Sequence, residues 1–566
     1  MNNPLDILKK YWGFNSFRSN QFEIINTVLE NQDCLILLPT GGGKSICFQI
    51  PALMRDGICI VISPLISLIK DQVDGLNKKG IKAVALTDVN SQSELIRLLD
   101  NCLHSNIKFL YTSPEKLEIN LVKEKIKMMK VNFIAVDEAH CISQWGHDFR
   151  PAYIRIKSIR DICPKSTLIA LTATATSSVS KDICEKLNLI NPKIFKNSFF
   201  RNNISYNCFI TKDKISKSIS ILNKSKGSAI LYLNNRYSTE KISNKLNSKG
   251  ISSDFYHGGM DIETKKKKYK KWMANKTRVI VATNAFGMGI DKSDVETIIH
   301  LSIPDSIESY MQETGRSGRN GIKANSYLII ENNGLLNLKM WSINRTIELS
   351  FLKIVYYKLN MYLQVAFGEL SEFAHDFNFN KFCNTYKFSK QKTYRHLKFL
   401  EQNGVIFFKE KFKKKFLILF NKPLKETSYN SNISKAKIIN HILRLHSNIY
   451  HEMTEIDIDK ISLICNVKKE YIINTLQTME SEKTVKIKKG SSDSQIKFLF
   501  PREDDITINK ISKNLKYQNE IKKLKFKAVL RYIKNSDVCR SKQLLNYFDE
   551  KILDACGSCD VCQTTT

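Results

Sequence analysis

Residues 34–45 read Cys-Leu-Ile-Leu-Leu-Pro-Thr-Gly-Gly-Gly-Lys-Ser. The apolar run Cys34–Leu38 has the length of a buried strand, and a helical pattern begins just after Ser45. A glycine loop at the start of a helix points backbone N–H groups at anionic oxygens. The stretch therefore predicts a parallel α/β sheet whose edge carries a phosphate-binding loop. The strict form of this loop has glycine at position 38, where this chain has Leu38.

The loop predicts how a nucleotide would be held. The Lys44 ammonium is expected to reach the phosphate oxygens, and the Ser45 hydroxyl is expected to hold Mg²⁺. The alternative is a glycine-rich turn beside a chance Lys-Ser pair, which the strand–loop–helix context disfavours. The predicted cradle consists of Thr40, Gly41, Gly42, Gly43, Lys44 and Ser45.

The second motif is an acidic box, Asp137-Glu-Ala-His140, which follows the apolar run Phe133–Val136. Carboxylates at the end of a buried parallel strand emerge at the sheet edge where nucleotides bind. Asp137 is expected to hold Mg²⁺, and Glu138 to orient and deprotonate an attacking water. His140 completes the predicted catalytic group on this strand.

Two arginines, Arg316 and Arg319, lie in the run Gln312-Glu-Thr-Gly-Arg-Ser-Gly-Arg-Asn-Gly321. Guanidinium groups stabilise the charge of a transferring γ-phosphate, and their position in a second domain would make hydrolysis depend on domain closure. Gln312 belongs to the same predicted catalytic set. The alternative is a basic surface loop.

Short apolar runs alternate with helical patterns over most of the first 340 residues, which is the rhythm of parallel strands with crossover helices. Later, two similar stretches, Lys381–Phe420 and Lys460–Phe500, each predict two helices followed by a β-hairpin, a winged-helix outline. The predicted fold class is α/β, with two tandem parallel-sheet domains followed by α+β winged-helix-like modules and a helical metal-binding module. The predicted limits are 1–200, 201–340, 341–428, 429–505 and 506–566.

Four cysteines near the C-terminus, Cys539, Cys556, Cys559 and Cys562, have metal-ligand spacing. Four thiolates form a closed tetrahedral site, and such a site for Zn²⁺ is structural. An iron–sulfur cluster is the chemical alternative, but bacterial cluster motifs continue to a cysteine followed by proline, and none follows Cys562. The other cysteines are scattered singly, as expected in a reducing cytosol.

The charge balance favours a polyanionic partner. Lys and Arg number 88 against 55 Asp and Glu, which leaves a formal charge of +33. Heavy lysine use throughout the chain is the compositional alternative. No apolar run has the length of a signal peptide or a membrane span, so we expect a cytosolic protein without membrane contact.

Taken in order, these motifs resemble those of the RecQ family of superfamily 2 DNA helicases, over residues 5–340 and 520–562. The segment Trp12-Gly-Phe-Asn-Ser-Phe-Arg-Ser-Asn-Gln21 is similar to the adenine-reading segment of that family. The resemblance implies two RecA-like domains and a zinc module. It also implies that Phe14 and Arg18 sandwich the base, that Gln21 hydrogen-bonds its edge, and that Asp291 contributes to the nucleotide site.

The most family-specific run is Cys141-Ile-Ser-Gln-Trp-Gly-His-Asp-Phe-Arg-Pro151, which resembles the aromatic-rich loop that links DNA binding to ATP hydrolysis. Trp145 and Phe149 offer flat faces on which unstacked bases can rest, with Arg150 beside them. Core packing is the alternative for these aromatic residues. Ser63 and Ser113 precede helices where strands end, and are expected to bind backbone phosphates. His257 in Tyr256-His-Gly-Gly-Met is assigned to DNA by the resemblance.

The chain departs from the better-known family members in one respect, because the winged-helix-like stretches precede the zinc module. The ribbon Phe407–Phe416 alternates aromatic residues with lysines. We expect Lys413, Lys414 and Lys415 to bind phosphates of incoming duplex DNA, and Phe412 to act as a wedge at the junction. The alternative is a spacer that only supports the zinc module.

The resemblance implies an ATP-dependent 3′-to-5′ DNA helicase that uses ATP, Mg²⁺ and Zn²⁺. The expected partners are single-stranded and duplex DNA, with single-strand-binding protein as a further partner. A monomer acting at the nucleoid of the bacterial cytosol is expected. An RNA remodeller is disfavoured by the aromatic-rich loop and the zinc spacing. A strand-annealing protein with a vestigial motor is disfavoured by the intact Lys44, Glu138, Arg316 and Arg319.

Overall fold

The computed structural model describes residues 3–87, 92–146, 149–287, 292–331, 346–371, 373–410, 416–421, 433–446, 448–456, 458–489, 494–552 and 554–564. The chain divides into two compact units: Met1–Thr346 with Lys516–Thr566, and Ile347–Leu515. We call them the motor unit and the nested unit. Within the described residues, no helix has both the length and the apolar character needed to cross a membrane.

The first sheet of the motor unit has seven parallel strands in the order β3-β4-β2-β5-β6-β1-β7. Their central strands are apolar and buried, because helices cover both faces of a parallel sheet. The strands are β1 (Cys34–Leu37), β2 (Ile58–Ile62), β3 (Ala83–Ala85), β4 (Phe109–Thr112), β5 (Val131–Val136), β6 (Thr167–Thr172) and β7 (Lys193–Lys196).

The second sheet has six parallel strands in the order β10-β11-β9-β12-β13-β8. These strands are β8 (Ile204–Thr211), β9 (Ser228–Tyr232), β10 (Ser253–Tyr256), β11 (Val279–Ala282), β12 (Val295–His300) and β13 (Ala324–Glu331). The predicted pair of parallel-sheet domains is therefore confirmed. The four edge strands are β3 and β7 of the first sheet and β8 and β10 of the second.

Helices cover both sheets, and several begin at side-chain caps; for example, the Ser306 side chain accepts a hydrogen bond from Ser309 N at the start of Ile307–Thr314. The α-helices of this unit are Pro4–Trp12, Gln21–Leu29, Ile46–Met54, Ile66–Lys78, Gln92–His104, Pro114–Leu117, Asn120–Met128, Pro151–Ile154, Ile159–Ile162, Ser177–Lys186, Lys214–Lys224, Arg236–Asn247, Ile262–Met273, Ile307–Thr314, Arg540–Tyr547 and Asp560–Thr564. Two 3₁₀-helices are Ala139–Ile142 and Arg155–Ser158. A long helix, Asp505–Lys534, contributes residues to both units.

The C-terminal module packs on the second sheet through an apolar cluster. Phe526, Val529 and Tyr532 of the long helix are buried there with Tyr206 and Tyr310. The rings of Tyr310 and Tyr532 lie 5.5 Å apart. Because each buried large apolar side chain contributes about 1.5–3 kcal/mol, this cluster fixes the cysteine module to the second sheet.

The nested unit contains two small antiparallel sheets, with strand orders β14-β19-β15 and β17-β16-β18. Its strands are β14 (His375–Phe377), β15 (Ile406–Glu410), β16 (Phe416–Phe420), β17 (Thr454–Ile456), β18 (Val485–Lys489) and β19 (Ser494–Phe498). Its helices are Leu349–Tyr362, Phe379–Thr385, Lys390–Gln402, Ile433–Leu445, Ile458–Cys465 and Lys469–Ser481.

The two local hairpins expected from the sequence are wrong. Strand β15 pairs with β19, and β16 pairs with β18, so the two modules exchange strands. The cause is burial: Ile496 and Phe498 of β19 enter the first module's core, while Ile418 and Phe420 of β16 enter the second. The two strands have similar apolar patterns, so the local sequence could not decide between the partners.

The exchange nests the second module inside the first and creates one interrupted ribbon. The ladder of β15 and β19 ends at the pair Glu410 and Ser494, and the ladder of β16 and β18 begins at Phe416 and Lys489. Phe412, Lys413, Lys414 and Lys415 lie outside the described residues.

Candidate nucleotide and DNA site

The phosphate loop leaves β1 and enters helix Ile46–Met54, as the sequence predicts. Gly41 and Gly43 have φ of +81° and +78°, a backbone conformation that other residues rarely adopt. Lys44 Nζ donates to the Leu38 carbonyl at 3.3 Å. Burial lowers the pKa of Lys44, while the Glu138 and Asp137 carboxylates oppose this shift. The partly buried loop thus places a positive charge beside two acids.

The N-terminal segment lies directly on this loop. Arg18 Nη1 donates to the Gly41 carbonyl at 2.6 Å, and Gln21 Nε2 donates to the Gly43 carbonyl at 3.2 Å. Gln21 Oε1 accepts from the Arg18 backbone N–H at 2.9 Å. Phe14 is half exposed and is available to a planar ligand. The structure brings Arg18 and Gln21 to the loop, while their contacts with a base stay a prediction.

The two acidic residues emerge where β5 ends. Asp137 and Glu138 are both buried, and burial followed by the charge of Glu138 raises the pKa of Asp137. Glu138 has a φ of +48°, the left-handed region, which turns the chain away from the strand. Asp137 Oδ1 accepts from the Glu138 N–H at 3.0 Å. A buried acid pair beside Lys44 is an arrangement that suits a divalent cation.

His140 connects the acidic box to strand β6. Its Nδ1 lies 2.8 Å from Thr172 Oγ1 and 3.3 Å from Glu138 Oε2. Thr172 was not among the predicted site residues; it lies in the stretch Leu171-Thr-Ala-Thr-Ala-Thr176. These contacts give Glu138 a polar link to the neighbouring strand.

The two arginines take different positions. A Cβ on Gly41 would lie 3.4 Å from Arg319 Cγ, so Arg319 rests against the phosphate loop. Arg316 is buried inside the second sheet domain, beside Gly287 and the Tyr232 side chain. The structure therefore brings Arg319, rather than Arg316, to the first domain.

Gln312 is buried on helix Ile307–Thr314. This helix leads into residues 315–321, which carry Arg316 and Arg319 and which we call the arginine loop. The next residue after Gln312, Glu313, places its Oε2 2.7 Å from His300 Nε2, and this contact ties the helix to β12. Asp291 lies outside the described residues. Its predicted role at the nucleotide site stays a prediction.

The aromatic-rich loop is held at both ends of its described part. Ser143 Oγ donates to Asp182 Oδ2 at 2.6 Å, and Arg150 Nη1 donates to the Pro64 carbonyl at 2.8 Å. Trp145 meets Tyr517 of the long helix edge to face, with ring centroids 5.7 Å apart. Phe149 is partly exposed. Contact of these side chains with DNA stays a prediction.

The other predicted DNA contacts differ in exposure. Ser63 is 1% exposed at the end of β2, whereas Ser113 is partly exposed before the short helix Pro114–Leu117. Burial, and then the charge of Arg236, lowers the pKa of the partly buried His257. A phosphate could reach Ser113 more directly than Ser63, and neither contact is tested by this geometry.

The four cysteines meet in one cluster. The sulfur atoms of Cys539, Cys556, Cys559 and Cys562 all lie within 4.8 Å of one another. A tetrahedral site with Zn–S bonds of about 2.3 Å requires sulfur atoms about 3.8 Å apart, so the cluster fits Zn²⁺. Arg540 Nε pairs with Asp560 Oδ1 at 3.0 Å and fastens the two cysteine-bearing segments together.

Sequence reasoning missed the neighbours of Trp145 altogether. Tyr517 and Lys525 come from the long helix, and Glu308 comes from the second sheet domain. None of the three lies in a motif, and only the folded chain brings them together. No pattern along the sequence could have identified them.

Three family models match the chain: the DEAD/DEAH box helicase over residues 18–183, the helicase conserved C-terminal domain over 212–321, and the RecQ zinc-binding domain over 500–563. The first match contains β1 to β6, the second contains β9 to β12, and the third contains the long helix and the four cysteines.

Individual relatives agree. The chain is 43% identical to the ATP-dependent DNA helicase RecQ of Haemophilus influenzae over 328 residues, 58% of this chain and 53% of that protein. It is 39% identical to the probable ATP-dependent DNA helicase RecS of Bacillus subtilis over 327 residues, 57% of this chain and 66% of that protein. The chain thus spans about half the length of the first of these curated relatives.

A solved structure supports the fold. The DUF1998 helicase MrfA bound to DNA superposes with a TM-score of 0.51 at 16% identity, over 72% of this chain and 58% of that one. At this identity the likeness concerns the fold alone. The phosphate loop, the acidic box, the arginine loop and the four-cysteine cluster, together with these matches, identify the chain as a member of the RecQ helicase family.

Proposed function

We propose that this protein is a DNA helicase that hydrolyses ATP with Mg²⁺, moves 3′ to 5′ along single-stranded DNA and unwinds duplex DNA in recombination and repair. The observation that carries the proposal is the approach of Arg319, from the second sheet domain, to Gly41 of the phosphate loop. A site completed by two domains makes hydrolysis respond to their closure. Bound ATP·Mg²⁺ would supply the phosphoryl group and the charge that this closure senses.

The residues of the first sheet domain would hold and activate the nucleotide. Lys44 and the loop N–H groups would bind the phosphates, and Ser45 and Asp137 would hold Mg²⁺. Glu138 would orient the attacking water and accept its proton, while His140 keeps Glu138 linked to Thr172. Phe14, Arg18 and Gln21 would select adenine.

The residues of the second sheet domain would sense the γ-phosphate. Arg319 would stabilise charge on the transferring group, and Gln312 and Arg316 would support it from the same segment. Removing one such donor typically slows the chemical step by about a hundredfold or more. The cysteine cluster takes no part in this chemistry, and Zn²⁺ would stabilise the module that packs on this domain.

The DNA contacts would lie along the aromatic-rich loop and the ribbon. Trp145 and Phe149 would stack on unpaired bases, with Ser63, Ser113, Arg150 and His257 near phosphates. Lys413, Lys414 and Lys415 would bind phosphates of the incoming duplex. We propose a monomer acting on chromosomal DNA in the bacterial cytosol, with single-strand-binding protein as a partner.

The experiment compares steady-state ATP turnover without nucleic acid, with single-stranded DNA, and with RNA of the same length and composition. We expect the stimulation of ATP turnover by single-stranded DNA to be at least about tenfold greater than the stimulation by RNA, which is within the usual range of coupling between two sites. Equal stimulation by RNA would favour an RNA remodeller. Absent ATP turnover would favour a vestigial motor in a strand-binding protein.

A further inference from the structure

The side-chain ammonium of Lys525 contacts both the aromatic-rich loop and the helix Ile307–Thr314. Lys525 Nζ lies 3.0 Å from Glu308 Oε1 and donates to the Gly146 carbonyl at 2.8 Å. The side chains of Lys525 and Glu308 are 11% and 5% exposed. The ammonium is therefore a buried junction between two elements that the chain order keeps far apart.

Each partner of Lys525 lies next to a functional element. Gly146 follows Trp145 in the aromatic-rich loop, and Glu308 is in the first turn of helix Ile307–Thr314. That helix carries Gln312 and leads directly into the loop of Arg319. Lys525 itself belongs to the long helix of the C-terminal module, which packs on the second sheet.

The surroundings of this junction leave the loop room to move. Beside it is a cavity of about 370 Å³, lined by side chains that include Trp145, Glu308, Leu524, Lys525 and Tyr547. Trp145 meets Tyr517 edge to face, and the two side chains also form a hydrogen bond. A base that stacks on Trp145 would shift the loop relative to the long helix, and the Gly146 carbonyl would move with it.

Because Lys525 and Glu308 form a buried ion pair, a movement of the Gly146 carbonyl changes the interaction of Lys525 with Glu308. A buried ammonium needs its hydrogen-bond acceptors, and a buried carboxylate needs its cation, because removing one partner leaves the other charge uncompensated. Displacing the Gly146 carbonyl therefore changes how strongly Lys525 holds Glu308. The helix that positions Arg319 responds, since Glu308 is fixed in its first turn.

We propose that Lys525 is a positioning residue that transmits engagement of single-stranded DNA at the aromatic-rich loop to the helix Ile307–Thr314 and so to Arg319. This inference rests on the proposed function, since it needs an ATPase that DNA stimulates. It assigns to the zinc-bearing module a coupling role in addition to its structural one. Lys525 touches neither nucleotide nor DNA in this scheme.

The test measures ATP turnover against single-stranded DNA concentration in four variants of the full chain: Lys525→Met, Lys525→Arg, Glu308→Gln with Lys525→Met, and Lys527→Met. Lys527 is exposed on the same helix and serves as the matched control. The double variant removes both charges together, which avoids an uncompensated buried charge and protects the fold. Thermal unfolding and zinc content are measured alongside.

Lys525→Met and the double variant should lower the DNA-stimulated turnover at saturating DNA at least about fivefold, the lower range of coupling between sites. The DNA concentration for half-maximal stimulation should stay within about twofold of wild type. Lys525→Arg should retain most of the stimulation, because a guanidinium can donate to both partners. Lys527→Met should behave as wild type.

Three outcomes would overturn the inference. Wild-type stimulation in a folded double variant would mean that Lys525 is only structural. A raised half-saturating DNA concentration with full turnover at saturation would mean that Lys525 binds DNA directly. If the wild-type protein itself showed no stimulation by single-stranded DNA, the proposed function would fail together with the inference, and this result is distinct from the other two.

Discussion

The motor unit and the nested unit use chain order in opposite ways. In the motor unit, one continuous stretch supplies all strands of the first sheet and the next stretch supplies all strands of the second. In the nested unit, β15 and β19 close one sheet around a second module that lies between them in sequence. The first arrangement aligns the ends of many parallel strands at one edge of a sheet. The second builds two small antiparallel sheets, each from strands that are distant in sequence.

The predicted catalytic groups lie in the motor unit, whereas the nested unit offers surface lysines that suit DNA binding. The aligned edge of the motor unit gathers the buried Asp137 and Glu138 and the partly buried Lys44. The described strands of the nested unit bury apolar side chains and present lysines such as Lys486 and Lys497 toward its surface. Changes in the motor unit should therefore abolish turnover, and changes in the ribbon should alter binding.

The largest effect is expected from the nucleotide site. Lys44→Ala should abolish ATP turnover, and Glu138→Gln should permit ATP binding without hydrolysis, since such groups contribute on the order of a hundredfold or more in rate. Steady-state turnover and nucleotide binding measure the two effects separately. Lys78→Ala, an exposed lysine of the same domain, is the control. Turnover within about threefold of wild type in either variant would refute the assigned engine.

The cysteine cluster should give the next largest effect, on stability. Cys559 is fully buried within the cluster, and its replacement by serine should release the zinc and lower the unfolding free energy by more than about 4 kcal/mol. Metal analysis of the purified protein and thermal unfolding check this. Cys465→Ser, outside the cluster, should change neither quantity. Iron, or no metal, in the wild-type protein would contradict the assignment.

A smaller effect is expected at the aromatic-rich loop. Trp145→Ala should reduce the ratio of DNA-stimulated to DNA-free turnover about fivefold or more, because stacking on one base contributes about 1–3 kcal/mol. Trp145→Phe keeps a flat ring and should retain much of the ratio. Undiminished stimulation in Trp145→Ala would make the loop a structural element only.

The smallest effect on turnover is expected from the ribbon. Replacing Lys413–Lys415 with glutamine should weaken binding to forked DNA and reduce its salt slope by about one for each lost phosphate contact. Turnover stimulated by single strands should survive. Neutralising Lys9, Lys10 and Lys78, which are exposed on the motor unit, is the matched control. An unchanged fork affinity and salt slope would make the nested unit a spacer.

The exchange of strands can be tested without activity. Phe407 pairs with Lys497 across β15 and β19, so cysteines at these two positions should form a disulfide on mild oxidation. A local hairpin would instead bring position 407 near Leu419, and cysteines at 407 and 419 provide the control pair. Peptide mapping by mass spectrometry distinguishes them. A disulfide in the control pair alone would contradict the pairing of β15 with β19 and support a local hairpin.

Much of the motor unit could be predicted from sequence because each functional group follows its own strand. A buried run such as Phe133–Val136 fixes the strand, and the parallel arrangement then fixes the edge at which Asp137 emerges. The cysteine cluster could also be predicted from spacing, since Cys556, Cys559 and Cys562 lie within seven consecutive residues.

The remainder depended on contacts between distant segments. The strands Phe416–Phe420 and Ser494–Phe498 have interchangeable patterns, and only the two cores decide their partners. The different positions of Arg316 and Arg319 depend on how the two sheet domains meet. Lys525 has no motif, and its role follows only from its distances to Gly146 and Glu308.

Strand separation by the purified full chain tests the proposed 3′-to-5′ helicase activity most directly. Two duplexes of identical sequence are compared, one with a 3′ single-stranded tail and one with a 5′ tail, in the presence of ATP and Mg²⁺. We expect unwinding of the 3′-tailed duplex, none of the 5′-tailed duplex, and no unwinding by Glu138→Gln. Unwinding of the 5′-tailed duplex alone, or equal unwinding by Glu138→Gln, would contradict the proposed activity.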